Sequence, residues 1–131
     1  MKKIIIDTSV IIAVIANEVS KKKLIEITED TELVAPISLH FEIGNALSAM
    51  LKKRRVDFEM IRKLIRYYSE IQITFVNPDL ENSLKISNQL KIYAYDAYFL
   101  DCALRLKLPI LSLDKGLNMA ARKINLKTIE V

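Results

Sequence analysis

Apolar residues in this chain alternate between short unbroken runs and longer stretches in which they recur at helical spacing. Ile4-Ile5-Ile6 is apolar at every position, the mark of a strand buried on both faces. Val10 to Ala16 is also apolar on all sides and reads as a helix buried against the sheet. Ser20 stands where it can cap a second helix carrying Leu24, Ile25 and Ile27. Leu33 to Ala35 is the second strand, and Pro36 followed by Ser38 opens a long helix reaching about Arg55. Asp57 is placed as the N-cap of the next helix, whose Phe58, Ile61, Leu64, Ile65 and Tyr68 fall at helical spacing.

Ile71 to Val76, rich in β-branched and aromatic residues, predicts a third strand that Asn77-Pro78-Asp79 terminates. A helix with Leu80, Leu84, Ile86 and Leu90 follows. Tyr93-Ala94-Tyr95 interrupts the pattern, and Asp96 begins a further helix to about Leu106. Pro109 to Leu113 reads as a strand, then a short helix from about Leu117 to Ala121 and a last strand from Lys127 to Val131. Strands separated by helices pair in parallel, so the expected architecture is α/β, a three-layer α/β/α sandwich around a mostly parallel sheet.

The 131 residues, 51% of them hydrophobic, suffice for one domain spanning 1–131 with a core of its own. Only two Gly and three Pro leave no room for a flexible linker. A lone Cys102 cannot form an internal disulfide, which fits a reducing cytoplasm. Lys2-Lys3 and the apolar residues after them imitate a signal peptide, but Asp7 interrupts the run and Asn17-Glu18 follows without a cleavage pattern. Neither apolar run approaches the ~20 residues of a membrane helix. The net charge of +4 is compatible with nucleic acid without establishing it. Its dense runs, Lys21-Lys22-Lys23 and Lys52-Lys53-Arg54-Arg55, read first as solvated helix surface and second as phosphate contacts.

Four carboxylates stand at or just beyond strand ends: Asp7, Glu42, Asp96 and Asp114. Ligands of open α/β sheets gather outside the carboxyl ends of the strands, so these acids can converge although far apart in sequence. Each also has a plain structural reading. Asp7, Thr8 or Ser9 can cap the following helix, Glu42 can meet a helix dipole in a first turn, and Asp114 can belong to a turn. Asp96 and Asp101 point about 140° apart at ~100° per residue, flanking the stripe of Ala97, Leu100 and Leu104. Asp101 can therefore join the site from its other edge or pair with Arg105. Asn118 is expected at the surface. With one His and one Cys, a zinc site is excluded, and His40 lies on a different helix face from Glu42. Hard oxygen donors favour Mg²⁺ or Mn²⁺.

Ile4-Ile5-Ile6-Asp7-Thr8-Ser9, Ala35-Pro36 through Phe41-Glu42-Ile43-Gly44-Asn45-Ala46-Leu47, Tyr95-Asp96-Ala97-Tyr98 and Leu111-Ser112-Leu113-Asp114 together resemble a PIN-domain ribonuclease. Among these, the chain looks most like the VapC-type toxins of toxin-antitoxin pairs. The resemblance implies an acidic cluster of Asp7, Glu42, Asp96 and Asp114 holding the metal, with Thr8 or Ser9 as the accompanying hydroxyl and Asp101 as a secondary acid. It implies cleavage of RNA to 5'-phosphate and 3'-hydroxyl ends, a homodimer, and a small antitoxin that covers the acidic site. The small hydroxyl residue usual shortly before the third acid is replaced here by Ala94-Tyr95. With RNA as substrate, Lys115 beside Asp114 is the nearer candidate grip. Lys52, Lys53, Arg54 and Arg55 stand roughly 15 to 20 Å along the helix from Glu42.

Two other readings compete. A haloacid-dehalogenase-like phosphatase would use Asp7 as a phosphoryl acceptor, although such a site would want an acid where Ser9 stands. A PIN-like binding module would keep the fold and hold RNA or a protein without cleaving it.

Overall fold

A computed structural model describes residues 2–131. Its centre is β1 (Lys2–Ile6), paired in parallel with β2 (Thr31–Pro36) on one side and β4 (Ile110–Leu111) on the other, with β3 (Ile73–Val76) outside β2. The central position explains the composition of β1. Ile4, Ile5 and Ile6 are buried because helices cover both faces of the sheet, so no position could be polar. Ile5 sits level with Val34 on one neighbour and with Ile110 on the other.

The order β3-β2-β1-β4 records a reversal of direction. From β1 the chain moves outward through α1 (Thr8–Ile15) and α2 (Lys21–Thr28) to β2, then through α3 (Ser38–Lys52) and α4 (Phe58–Glu70) to β3. Next, α5 (Leu80–Leu90) and α6 (Ala94–Leu106) return it past β1 to β4, and α7 (Lys115–Lys123) follows. Connections leaving opposite sides of β1 open a crevice between the carboxyl ends of β1 and β4. No described helix is long and apolar enough to cross a membrane, and Cys102 is buried and unpaired in the core.

Several boundaries differ from the sequence pattern. β4 keeps only two of the five residues from Pro109 to Leu113. The segment from Lys127 to Val131 is not a strand: it contributes one parallel bridge, Thr128 to Ile110, because a partner strand of two residues offers few groups to pair with. The long helix α3 stops at Lys52 rather than Arg55, since Arg54 takes a left-handed φ of 54°. α6 starts two residues before Asp96, and α7 extends on both sides of the expected Leu117 to Ala121. Asp57 does cap α4, accepting from Met60 N at 2.9 Å. Ser20 does not cap α2: its backbone is already helical, and its hydroxyl makes no capping bond.

Asp101 is part of the scaffold and not of the acidic crevice. Its carboxylate is fully buried, accepting from Arg105 Nε at 3.0 Å, Asp79 N at 2.8 Å and Asn82 Nδ2 at 2.6 Å. Arg105 also donates to the carbonyl of Asn77 at 2.9 Å. Of its two expected roles, pairing with Arg105 prevails because the first residues of α5 and the loop before it supply every remaining partner. Asp101→Ala is expected to lower the unfolding free energy by about 3 kcal/mol by stranding these donors. Asp101→Asn should cost less, and denaturant unfolding measures both.

Candidate active site

Asp7 occupies the crevice at the end of β1. Its Oδ1 accepts from Ser9 Oγ at 2.6 Å and from Val10 N at 3.3 Å, so it caps α1. Its Oδ2 accepts from Ser112 Oγ at 2.6 Å. Capping and site duty therefore coexist in one side chain. The two serines are themselves fixed: Ser9 Oγ accepts from Leu113 N and Ser112 Oγ from Asp114 N, both at 2.9 Å. Burial pushes the Asp7 carboxyl above its usual range and the charge of Asp114 adds to this, while the serine and Val10 bonds pull it back.

Glu42 comes from the second turn of α3, not the first, so the helix dipole helps it little. Its Oε2 is buried without a hydrogen-bond partner. Burial raises its pKa from 4.5 to about 7, and the negative charges of Asp96 and Asp7 push in the same direction. Thr8 and Ser38 pull the value partly back, although both hydroxyls are buried without forming a well-directed hydrogen bond. Asp96 lies in the first turn of α6, half-buried, and is raised by desolvation and then by Asp114. Asp114 is exposed and caps α7 through Leu117 N at 3.1 Å. A Cβ on Gly116 would come within 3.2 Å of Asp114 Oδ1, so glycine lets the turn close over the carboxylate.

The structure thus gathers Asp7, Glu42, Asp96 and Asp114 into one field, in which the carboxyls of Asp7, Glu42 and Asp96 each feel the charge of at least one other acid. Ser9 and Thr8 stand beside them. Ser112 belongs with this group although it drew no separate notice in the sequence; the available signal was a hydroxyl enclosed by Leu111 and Leu113. Asn118 is half-buried rather than a surface residue, donating to Ser112 O at 2.9 Å. Lys115 is exposed at the start of α7 and lines a separate cleft with Asn118 and Arg122. Lys52, Lys53, Arg54 and Arg55 are exposed where α3 ends and contribute nothing to the cleft that contains Glu42. His40 shares a hydrogen bond with Tyr68 Oη at 2.9 Å, away from the carboxylates.

Among the described residues, no three Asp, Glu, His or Cys side chains form a ready-made chelate. The donor chemistry nevertheless fits a small hard cation. Mg²⁺ keeps several of its waters and takes only one or two carboxylates directly, and Glu42 presents an unpartnered buried oxygen. A cation would also relieve the repulsion and desolvation that hold three of the four acids above their usual range.

A parallel sheet with an acidic crevice at its topological switch defines an α/β protein whose clustered acids stand at the ends of β1 and β4 and on the helices beside them. The sequence matches the PIN domain over residues 4–123, and the chain belongs to that family. PIN domains are generally nucleases that act on nucleic acid with divalent metal ions. No curated protein sequence matches the chain significantly. Among solved structures, that of PAE2754 from Pyrobaculum aerophilum superposes with a TM-score of 0.71 at 21% identity. The alignment covers 95% of this chain and 93% of the other, a likeness of fold.

A raised carboxyl has a definite sign in the pH dependence of stability. The folded chain holds the Glu42 proton more tightly than the unfolded chain, so this contribution is present below about 4.5 and lost as pH rises through about 7. The metal-free protein should melt at progressively lower temperature across that window, and Glu42→Gln should flatten the profile and raise the midpoint at pH 8. Asp7→Asn should stabilise less, because its amide nitrogen replaces an oxygen that accepts hydrogen bonds. Thermal melts in chelator, repeated from acid to mild base, measure both effects.

Proposed function

We infer that this protein is an endoribonuclease that hydrolyses RNA phosphodiester bonds with Mg²⁺ or Mn²⁺. Asp7, Glu42, Asp96 and Asp114 hold the ion, and residues 1–131 act as one PIN-like domain. The observation that carries the reading is the unpartnered oxygen of Glu42, buried among acids whose protons are held too tightly for isolated carboxylates. Such a group resists ionisation at neutral pH until positive charge arrives.

Each residue's task follows from its surroundings. Ser9 and Ser112 orient the two oxygens of Asp7, so it meets a ligand in one fixed position. Leu117 N–H and Gly116 set the Asp114 carboxylate at the mouth. Glu42 and Asp96 approach from α3 and α6 and supply the remaining negative charge. When bound, the ion supplies activation of water and neutralisation of the charge that develops on the phosphate. Attack by water needs no protein nucleophile, and on this reading the products carry 5'-phosphate and 3'-hydroxyl ends. Lys115, next to Asp114 in the chain, and Lys52, Lys53, Arg54 and Arg55 at the end of α3 are the cations that would hold the RNA backbone.

The phosphatase alternative fits less well. Asp7 is 5% exposed and both its oxygens already accept hydrogen bonds, which leaves poor access for a phosphoryl group. A binding module without catalysis would keep the strained carboxylates for no purpose that the site reveals. The VapC-like pattern of the sequence extends the reading to a toxin of the cytoplasm, homodimeric and restrained by a small antitoxin. A cationic antitoxin side chain would find the same carboxylates and compete with the metal.

Purified protein is expected to cleave RNA with Mg²⁺ or Mn²⁺ and to stop in chelator. Asp7→Asn, Glu42→Gln, Asp96→Asn and Asp114→Asn should each reduce cleavage by about 100-fold or more, on the order of 3 kcal/mol in the barrier, with circular dichroism unchanged. Mn²⁺ binding followed by calorimetry in buffers of different ionisation enthalpy should release protons near pH 6, because Glu42 must ionise. Undiminished cleavage by Asp96→Asn would overturn the metal-nuclease reading. For the toxin reading, a small basic product of the neighbouring gene should bind the dimer and lose affinity when Asp7 or Asp114 is neutralised. A monomer at micromolar concentration with no such partner would leave only the nuclease.

A further inference from the structure

Beside the carboxylates runs a cleft of about 450 Å³ lined by polar, acidic and aromatic side chains. Thr8, Glu42 and Asn45 form the polar part, with Phe41 and Tyr95 as the rings. Phe41 is 67% exposed and Tyr95 57% exposed, so neither ring is needed to fill the core. A large exposed apolar side chain is informative only where it recurs beside a built site, as it does here. Phe41 is the residue before Glu42 and Tyr95 the residue before Asp96, so α3 and α6 each present an acid and an aromatic side by side.

Each ring has an aromatic neighbour. Tyr95 meets Tyr98 edge-on with centroids 5.9 Å apart, and Phe41 meets His40 edge-on at 5.8 Å. His40 is in turn stacked on Tyr68 at 5.7 Å and hydrogen-bonded to it. Rings held this way lose little freedom when a planar ligand lies against them. Asn45 is exposed in the same cleft, and its amide offers both a donor and an acceptor to the edge of a base.

We propose that Phe41 and Tyr95 form a stacking clamp for one unpaired nucleobase adjacent to the phosphate held at the carboxylates, with Asn45 at the base edge. The clamp rests on the ribonuclease reading and assigns three of its binding residues: the base they receive must stand unpaired. A paired base within a duplex keeps its faces covered by neighbouring bases and cannot enter between protein rings, whereas single strands offer every base face. A protein occupant is less favoured, because Thr8, Glu42 and Asn45 line the cleft with the rings and leave no continuous aliphatic surface.

The test uses the full chain with Asp7→Asn and Mn²⁺ present, and a short single-stranded RNA carrying 2-aminopurine as probe. Binding should quench the probe at one position along the strand, and Phe41→Ala or Tyr95→Ala should remove that quench and weaken binding about tenfold or more. Phe41→Tyr and Tyr95→Phe should retain it. Phe41→Leu, which keeps the apolar bulk without an aromatic face, should not. Annealing the RNA to its complement should abolish the dependence on either ring.

Equal affinity for the alanine variants and their parent would overturn the clamp, as would failure of the parent to bind the strand. Loss of a dimer in both alanine variants, with RNA binding unchanged, would assign the rings to a contact between chains instead. Undiminished cleavage by Asp7→Asn alone would sink the nuclease reading, while the quench and the affinity ratios would still decide the clamp.

Discussion

The hydrogen bond from Ser112 Oγ to Asp7 Oδ2 joins residues 105 positions apart and closes the crevice on which the site depends. β1 and β4 share only two register pairs, so backbone pairing alone holds their carboxyl ends weakly. The side-chain bond extends that pairing beyond the last strand residue. It fixes one oxygen of Asp7 while Ser9 and Val10 fix the other. Ser9 also reaches back across the crevice to Leu113 N. A carboxylate buried at the end of an apolar strand is costly unless its oxygens are satisfied, and here the partners that satisfy Asp7 also align Asp114. Folding of the central sheet and placement of two site acids are one event.

Much of this was legible because the periodicities are strong. The unbroken Ile4-Ile5-Ile6 run announced a strand covered on both faces, and the spacing in α4 with Asp57 ahead of it located both a helix and its cap. The four acids were visible from their recurrence after strands, and PIN-domain membership followed from the ordered set. Short-range patterns did not show where pairing fails. The final segment has strand-like residues, but only Ile110 is available to receive it. Asp101 was equally ambiguous, because its decisive partners, Asp79 N and Asn82, are 22 and 19 residues away. The role of Ser112 within Leu111-Ser112-Leu113-Asp114 is illegible for the same reason: a serine acquires its meaning from what stands across the crevice.

Asp101 also shows how stability and site geometry share one helix. Through Arg105, Asn82 and the Asp79 amide it fastens α6 to α5 and to the loop before it. Asp96 lies five residues earlier on the same helix, about one and a half turns away. The buried Asp101 carboxylate and its partners therefore help to set the axial position and rotation of α6, and with them the distance at which Asp96 feels Asp114. An acid outside the cluster can in this way affect the cluster without touching anything bound there.

Among the described residues, six take a left-handed backbone, namely Asn17, Asp30, Arg54, Lys91, Lys107 and Asn125, and neither glycine does. For Arg54, Lys91 and Lys107 this is a local strain of about 1 kcal/mol that glycine would avoid, and it is smaller for Asn17, Asp30 and Asn125, whose short polar side chains tolerate the conformation. The compensation lies in the denatured chain. A sequence with only two glycines has fewer backbone states to gain when it unfolds, so strain in the native form is offset by restriction of its competitor. Lys91 and Lys107 additionally put a cation at the negative end of a helix. The tightness of this small protein is thus partly a property of the disordered state it leaves.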